Sequence, residues 1–343
     1  MRRKLANGNI AFNGLLILAL SSILALLVVT FYDRSGIATK DIIIPRKATL
    51  SQVANLLHDN RIIEHPMLFK LLLRGTGGNS RVRAGEFRFR ERMSPWNALR
   101  VLFFGEQILH SITIPEGFTI KQIAGLLASQ KLVDEQKFLQ LTLTREAAAK
   151  HGLQTPHLEG FLFPDTYQFS MIDGEEKIIA TMLQNFKQRY EHEYKRPLSE
   201  LGWTVEKLVT LASIVEKETA VAEERPLIAS VFLNRLAKKM RLQSDPTTIY
   251  GLGKFSGNLR KDDLLRPTPY NTYTISGLPL GPISNPGQAS LRAVLFPAQS
   301  NYLYFVSNNH GKHIFSRSYT DHSRHVNSYQ KIKRPTRGRD ARK

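Results

Sequence analysis

Three residues near the middle of the chain, Glu216, Lys217 and Glu218, set two carboxyls at the end of a long apolar stretch. From Thr204 to Thr219 the spacing predicts a helix whose Val205, Leu208, Val209, Leu211, Ala212, Ile214 and Val215 form a broad apolar face. A carboxyl beside such a face is partly desolvated. It then keeps its proton to a higher pH than usual and can serve as a general acid near neutrality. Residues two apart on a helix point about 200° apart, so only one glutamate can sit deep on a given face. At about 100° per residue, Glu216 lies roughly 70° from the centre of the apolar arc and Glu218 roughly 90° away on the other side. That spacing does not choose between them.

Polar, turn-rich stretches surround this pair in sequence. Leu158 to Tyr167 is rich in aromatics, Gly and Pro and reads as an ordered loop offering Glu159, Asp165 and Tyr167. Aromatic faces for pyranose stacking, with carboxylates and amides for hydroxyls, are what a glycan site needs. Met240 to Gly251 is turn-rich and offers Gln243 and Asp245, and Tyr270-Asn271-Thr272-Tyr273 offers Asn271 and Tyr273. Gly277 to Gly287 is an irregular loop with three Gly and three Pro. Long stiff loops inside a compact domain usually carry function.

Other chemistries fit less well. There is no cysteine, which removes disulfides, a thiol nucleophile and thiolate metal sites. His310, His313, His322 and His325 lie close together but bring no carboxylate-rich ligand set, so neither a metal nor any other cofactor is expected. Ser213 has no visible partner base or nucleophile elbow. The net charge of +19 raises nucleic acid as a partner, but the excess is spread out, except for a dense basic tail over 331–343.

The elements that must position these groups are an N-terminal segment and two α+β regions. Phe12 to Tyr32 is apolar and uncharged, long enough at about 1.5 Å per residue for a membrane anchor. Arg2, Arg3 and Lys4 precede it, so residues 1–11 are expected inside the cytoplasm and everything after Asp33 outside. An exported chain has no nucleic acid to meet. The sequence then repeats itself. Ile44-Pro45, Thr49 and an apolar helix to Leu57 recur as Ile114-Pro115, Thr119 and a helix to Leu127. With the alternating strand Ala84–Phe89 and a helix from Ser94, residues 42–110 read as a strand–helix–helix–strand module similar to the glycan-binding LysM type. Residues 111–330 form the second region, in which Pro226 opens a helix and Tyr302–Val306 pairs with His313–Phe315 in a hairpin.

The order of these motifs resembles the endolytic murein transglycosylases of the MltG (YceG-like) family. The resemblance is carried by Leu158-Glu159-Gly160 with Asp165-Thr166-Tyr167, Ala212 to Thr219, Leu242 to Thr247, Tyr270 to Tyr273 and Gly277-Leu278-Pro279. It implies an α+β enzyme on the outer face of the cytoplasmic membrane that cleaves peptidoglycan strands, with Glu218 as the catalytic acid and base. It further implies action beside the synthases that make those strands. The competing expectation is a non-catalytic scaffold that only holds glycan.

Overall fold

The structure, a computed structural model, describes residues 2–253 and 257–330; for residues 2–14 and Asn79 it describes the backbone alone. The basic tail at 331–343 lies outside the described residues. The chain divides into two compact units, residues 1–111 with 168–173, and residues 112–167 with 174–343. The fold is mixed α+β, with many helices and three two-stranded sheets among the described residues.

The first unit contains α1 (Arg2–Phe31), β1 (Thr39–Ile44), α2 (Leu50–Asp59), α3 (Pro66–Gly75), α4 (Gly78–Arg81), β2 (Gly85–Arg90) and α5 (Pro95–Phe104). β1 and β2 pair antiparallel, Thr39 opposite Arg90 and Ile44 opposite Gly85. Ile42, Ile44, Phe87 and Phe89 share a core with Val53 and Leu57 of α2, Phe69 of α3 and Leu102 of α5. Thr49 starts α2 through a capping box: its hydroxyl accepts from Gln52 N, and the Gln52 side chain accepts from Thr49 N. The order departs from the expected strand–helix–helix–strand, since a third, short helix, α4, precedes β2 and α5 follows it.

The membrane span expected over 12–32 falls in α1 but is not met among the described residues, where no helix is long and apolar enough to cross a membrane. The part of α1 with described side chains begins at Leu15.

The second unit begins near β3 (His110–Thr113), which neighbours β4 (Thr166–Phe169). Between them lie α6 (Ile120–Ser129), α7 (Glu135–Thr142) and α8 (Arg145–Lys150). Thr119 and Gln122 repeat the capping box at α6, so the two sequence copies fold alike at their helix starts. After β4 come α9 (Gly174–Arg189), α10 (Lys195–Glu200), α11 (Val205–Glu218), α12 (Arg225–Ala237), α13 (Asp245–Leu252), α14 (Lys261–Leu265) and α15 (Gln288–Leu295). The hairpin of β5 (Tyr304–Ser307) and β6 (His313–Ser316) and the closing helix α16 (Tyr319–Tyr329) follow.

α11 is the central rod of this unit. Thr204 caps it, and every residue from Leu208 to Val215 is buried, so it is enclosed on all sides rather than on one face. Ile228 and Phe232 of α12 and Leu291 and Val294 of α15 pack against it. A helix buried around its circumference can expose polar groups only at its ends, and Glu216 to Glu218 form one such end.

Candidate active site

The two glutamates leave α11 into different surroundings. Glu216 turns into the protein, its side chain 6% exposed. It accepts from Arg225 Nη2 at 3.3 Å and from Gly287 N at 3.0 Å. Both oxygens are therefore occupied. Nearby, burial and the Glu216 charge raise the pKa of Glu116, and Arg225 opposes them.

Glu218 instead faces a groove of about 510 Å³ lined also by Arg235, Leu242, Gln243, Asp245, Tyr273, Tyr304, Phe305, His313, Tyr319 and His322. Ser244 Oγ donates to Glu218 Oε1 at 2.5 Å. The surrounding protein pushes the Glu218 pKa up to about 7, and the Asp245 charge adds to this, while the Ser244 hydrogen bond and the Arg235 charge oppose it. Such a group is part acid and part carboxylate near neutral pH, as a residue must be that both gives and takes a proton.

The loop that presents Ser244 is built from the inside. Gln243 N donates to Thr272 O and Ser244 N to Thr272 Oγ1, while the hydroxyls of Thr247 and Thr272 meet at 2.8 Å. Gln243 adopts a left-handed backbone at φ 52°, uncommon for a residue with a side chain. Arg235, buried in α12, holds this bend: its guanidinium donates to the carbonyls of Leu303, Arg241 and Leu242 and to Gln243 Oε1. Tyr273 donates to Asp245 Oδ1 at 2.6 Å, and burial raises its pKa, helped by that bond.

Of the residues expected from the sequence, Glu218, Gln243, Asp245 and Tyr273 thus come together in one groove. Glu159, Asp165, Tyr167 and Asn271 are not among its lining residues. Glu159 is 1% exposed; it accepts from Ile120 N, Asn285 Nδ2 and Tyr250 OH, and burial lifts its pKa to about 8. Asp165 accepts from Arg189 and Asn185. Tyr167 donates to Phe163 O, and burial pushes its pKa up to about 12. Asn271 is fully buried; it accepts from Thr248 and donates to the carbonyls of Leu264 and Arg266. The aromatic loop differs from its expected role too, because Phe161 and Phe163 are core residues with no face for a ligand.

Sequence reasoning passed over Arg235, Ser244, Tyr304, Tyr319 and His322 as site residues. Ser244 stood inside a motif already recognised, next to two nominated neighbours. Arg235 had a signal as well, an arginine spaced to face the core of an apolar helix, where a charge needs a dedicated set of acceptors. The histidines scatter: His313 Nδ1 pairs with Glu224 at 2.7 Å, and His325 Nδ1 meets Ser316 Oγ at 3.0 Å. Among the described residues no group of three or more His, Cys, Asp or Glu could hold a metal.

Comparison with known proteins agrees with the motif order. The chain is 33% identical over 315 residues to an endolytic murein transglycosylase of Bacillus subtilis, covering 87% of this chain and 86% of that protein. It is 30% identical over 321 residues to an endolytic murein transglycosylase of Streptococcus pneumoniae, covering 83% of this chain and 58% of that longer protein. The crystal structure of a yceG-like protein from Listeria monocytogenes matches with a TM-score of 0.58 at 33% identity, covering 84% of this chain and 99% of that one. The YceG-like family model matches residues 42–328, and the chain belongs to that family.

Proposed function

We propose that this protein is an endolytic peptidoglycan lytic transglycosylase with Glu218 as its acid and base. The observation that carries this reading is the contrast between the two glutamates: Glu216 is fully engaged by Arg225 and Gly287, whereas Glu218 faces the groove with a pKa near 7. The names of the Bacillus and Streptococcus relatives supply the substrate class.

The protonated Glu218 donates its proton to the oxygen joining MurNAc C1 to the next GlcNAc as that C1–O bond breaks. The carboxylate left behind takes the proton from the MurNAc C6 hydroxyl as O6 bonds to C1. One bond forms for each bond broken, and no water is consumed. The products are a 1,6-anhydro-MurNAc end and a GlcNAc with a free hydroxyl. Gln243, Asp245 and Tyr273 hold sugar hydroxyls along the groove, while Ser244 keeps the carboxyl in place and Arg235 holds the bend that presents Ser244.

Asp245 in the same groove favours a second reading, hydrolysis with two carboxyls. Mass spectrometry of fragments released from purified peptidoglycan separates the two. Anhydro ends, absent with Glu218→Gln, support the transglycosylase; ends heavier by one water mean a hydrolase. Binding without cleavage would leave a glycan-holding scaffold.

The substrate lies outside the cytoplasm, and α1 supports attachment to the membrane there. Leu15, Leu16, Ile17, Leu18, Leu20, Ile23 and Leu24 are all at least half exposed, which leaves apolar surface on every side of that helix. Ending strands as they are made would place the enzyme beside their synthases, and such an anchor would hold it there.

A further inference from the structure

The groove wall contributed by the last hairpin and helix carries rings that the chemistry at Glu218 does not use. Tyr304 of β5 and His322 of α16 stack, with ring centres 5.1 Å apart and planes 21° from parallel. Tyr319, the first residue of α16, sets its ring 6.0 Å from Tyr304 and 6.4 Å from His322, yet remains 69% exposed. All three line the groove that holds Glu218. Arg235 joins the two regions: its guanidinium lies 5.1 Å from the Tyr304 ring centre, and its charge acts on Glu218. The groups therefore run in order from carboxyl to guanidinium to rings.

A lone exposed tyrosine needs no explanation. Three rings clustered along the wall of an open groove are different, because two stack on each other and the third, Tyr319, tilts against both with its own face open, so together they present apolar faces with polar edges. A pyranose has the matching shape, with C–H bonds on its face and hydroxyls around its rim. Tyr319 offers the face, and the tyrosine hydroxyls offer partners at the rim.

We propose that Tyr319, Tyr304 and His322 form a sugar-stacking subsite beside Glu218 that holds one pyranose of the glycan strand. This inference rests on the glycan reading above. Binding of peptide-free glycan strands to the full-length Glu218→Gln protein tests it without cleavage. Adding Tyr319→Ala should weaken binding about five- to tenfold, whereas Tyr319→Phe should hold it within about twofold. In the cleaving enzyme Tyr319→Ala should raise KM by a similar factor and leave kcat within about twofold. Unchanged affinity in Tyr319→Ala would overturn the subsite while leaving the glycan reading intact. Weakening confined to strands that carry stem peptides would also overturn it, because the wall would then read peptide. A Glu218→Gln parent that binds no glycan, in a protein that cleaves none, would sink the glycan reading itself and the subsite with it.

Discussion

Ser244 Oγ and Glu218 Oε1 lie 2.5 Å apart, joining the end of the buried helix α11 to the loop that begins α13. The hydroxyl donates to the carboxylate and so favours its charged form, against the surrounding protein that favours the neutral one. The balance of these two effects sets the pH at which the group changes role.

Replacing Glu218 with Gln removes the transferable proton while keeping the shape of the side chain. Cleavage should fall by about 10²–10⁴-fold, the usual worth of a general acid. Circular dichroism and glycan binding should stay as in the parent. Retained cleavage would move the chemistry to another carboxyl in the groove.

The acid step needs the protonated form, and a group with a pKa near 7 loses that form as pH rises. We expect kcat/KM to be flat below about pH 6 and to fall about tenfold per pH unit above 7. Ser244→Ala removes a contact that lowers this pKa, so its falling limb should move to higher pH. A limb that stays put, or moves to lower pH, would separate Ser244 from the proton chemistry.

Glu216 serves the fold. Its side chain and that of Arg225 are 6% and 11% exposed, and removing one partner leaves the other charge buried. Glu216→Ala should cost about 3–5 kcal/mol, read as a fall in Tm. The fraction that remains folded should still cleave. Loss of cleavage at unchanged Tm would reverse the roles of the two glutamates.

Glu159 gives a pH signature in stability. Folding keeps it neutral up to about pH 8, whereas an ordinary glutamate ionises near 4.5. The unfolded chain therefore gains from ionisation first, and the fold loses stability as pH rises from about 5 to 8. Glu159→Gln copies the uncharged shape of the neutral group and should flatten part of that loss in thermal melts. Glu159→Ala orphans the donors of Ile120, Asn285 and Tyr250 and should lower Tm at every pH.

How much of this could be read from the chain depended on distance along it. The Thr49 and Thr119 helix starts, the Pro226 helix start and the closing hairpin were legible because each is settled within a few residues. The choice between Glu216 and Glu218 was not, because helical angle left both at the edge of the apolar arc. Contacts made far along the chain set the two apart: Gly287 donates to Glu216, and Ser244 reaches Glu218. The same limit explains Glu159 and Asn271. They stand in loops of the composition that a sugar site needs, but buried loops need polar side chains to satisfy their own backbone. The Oδ1 of Asn285 does this for Gly160 and Leu162. Composition alone does not separate the two uses.

Arg235 fastens the carbonyls of Arg241 and Leu242, before α13, to that of Leu303, before β5. One side chain therefore couples two stretches that each supply groove lining, Leu242 and Tyr304. Loss of Arg235 would release both stretches at once, so the groove would loosen as a whole rather than at one place.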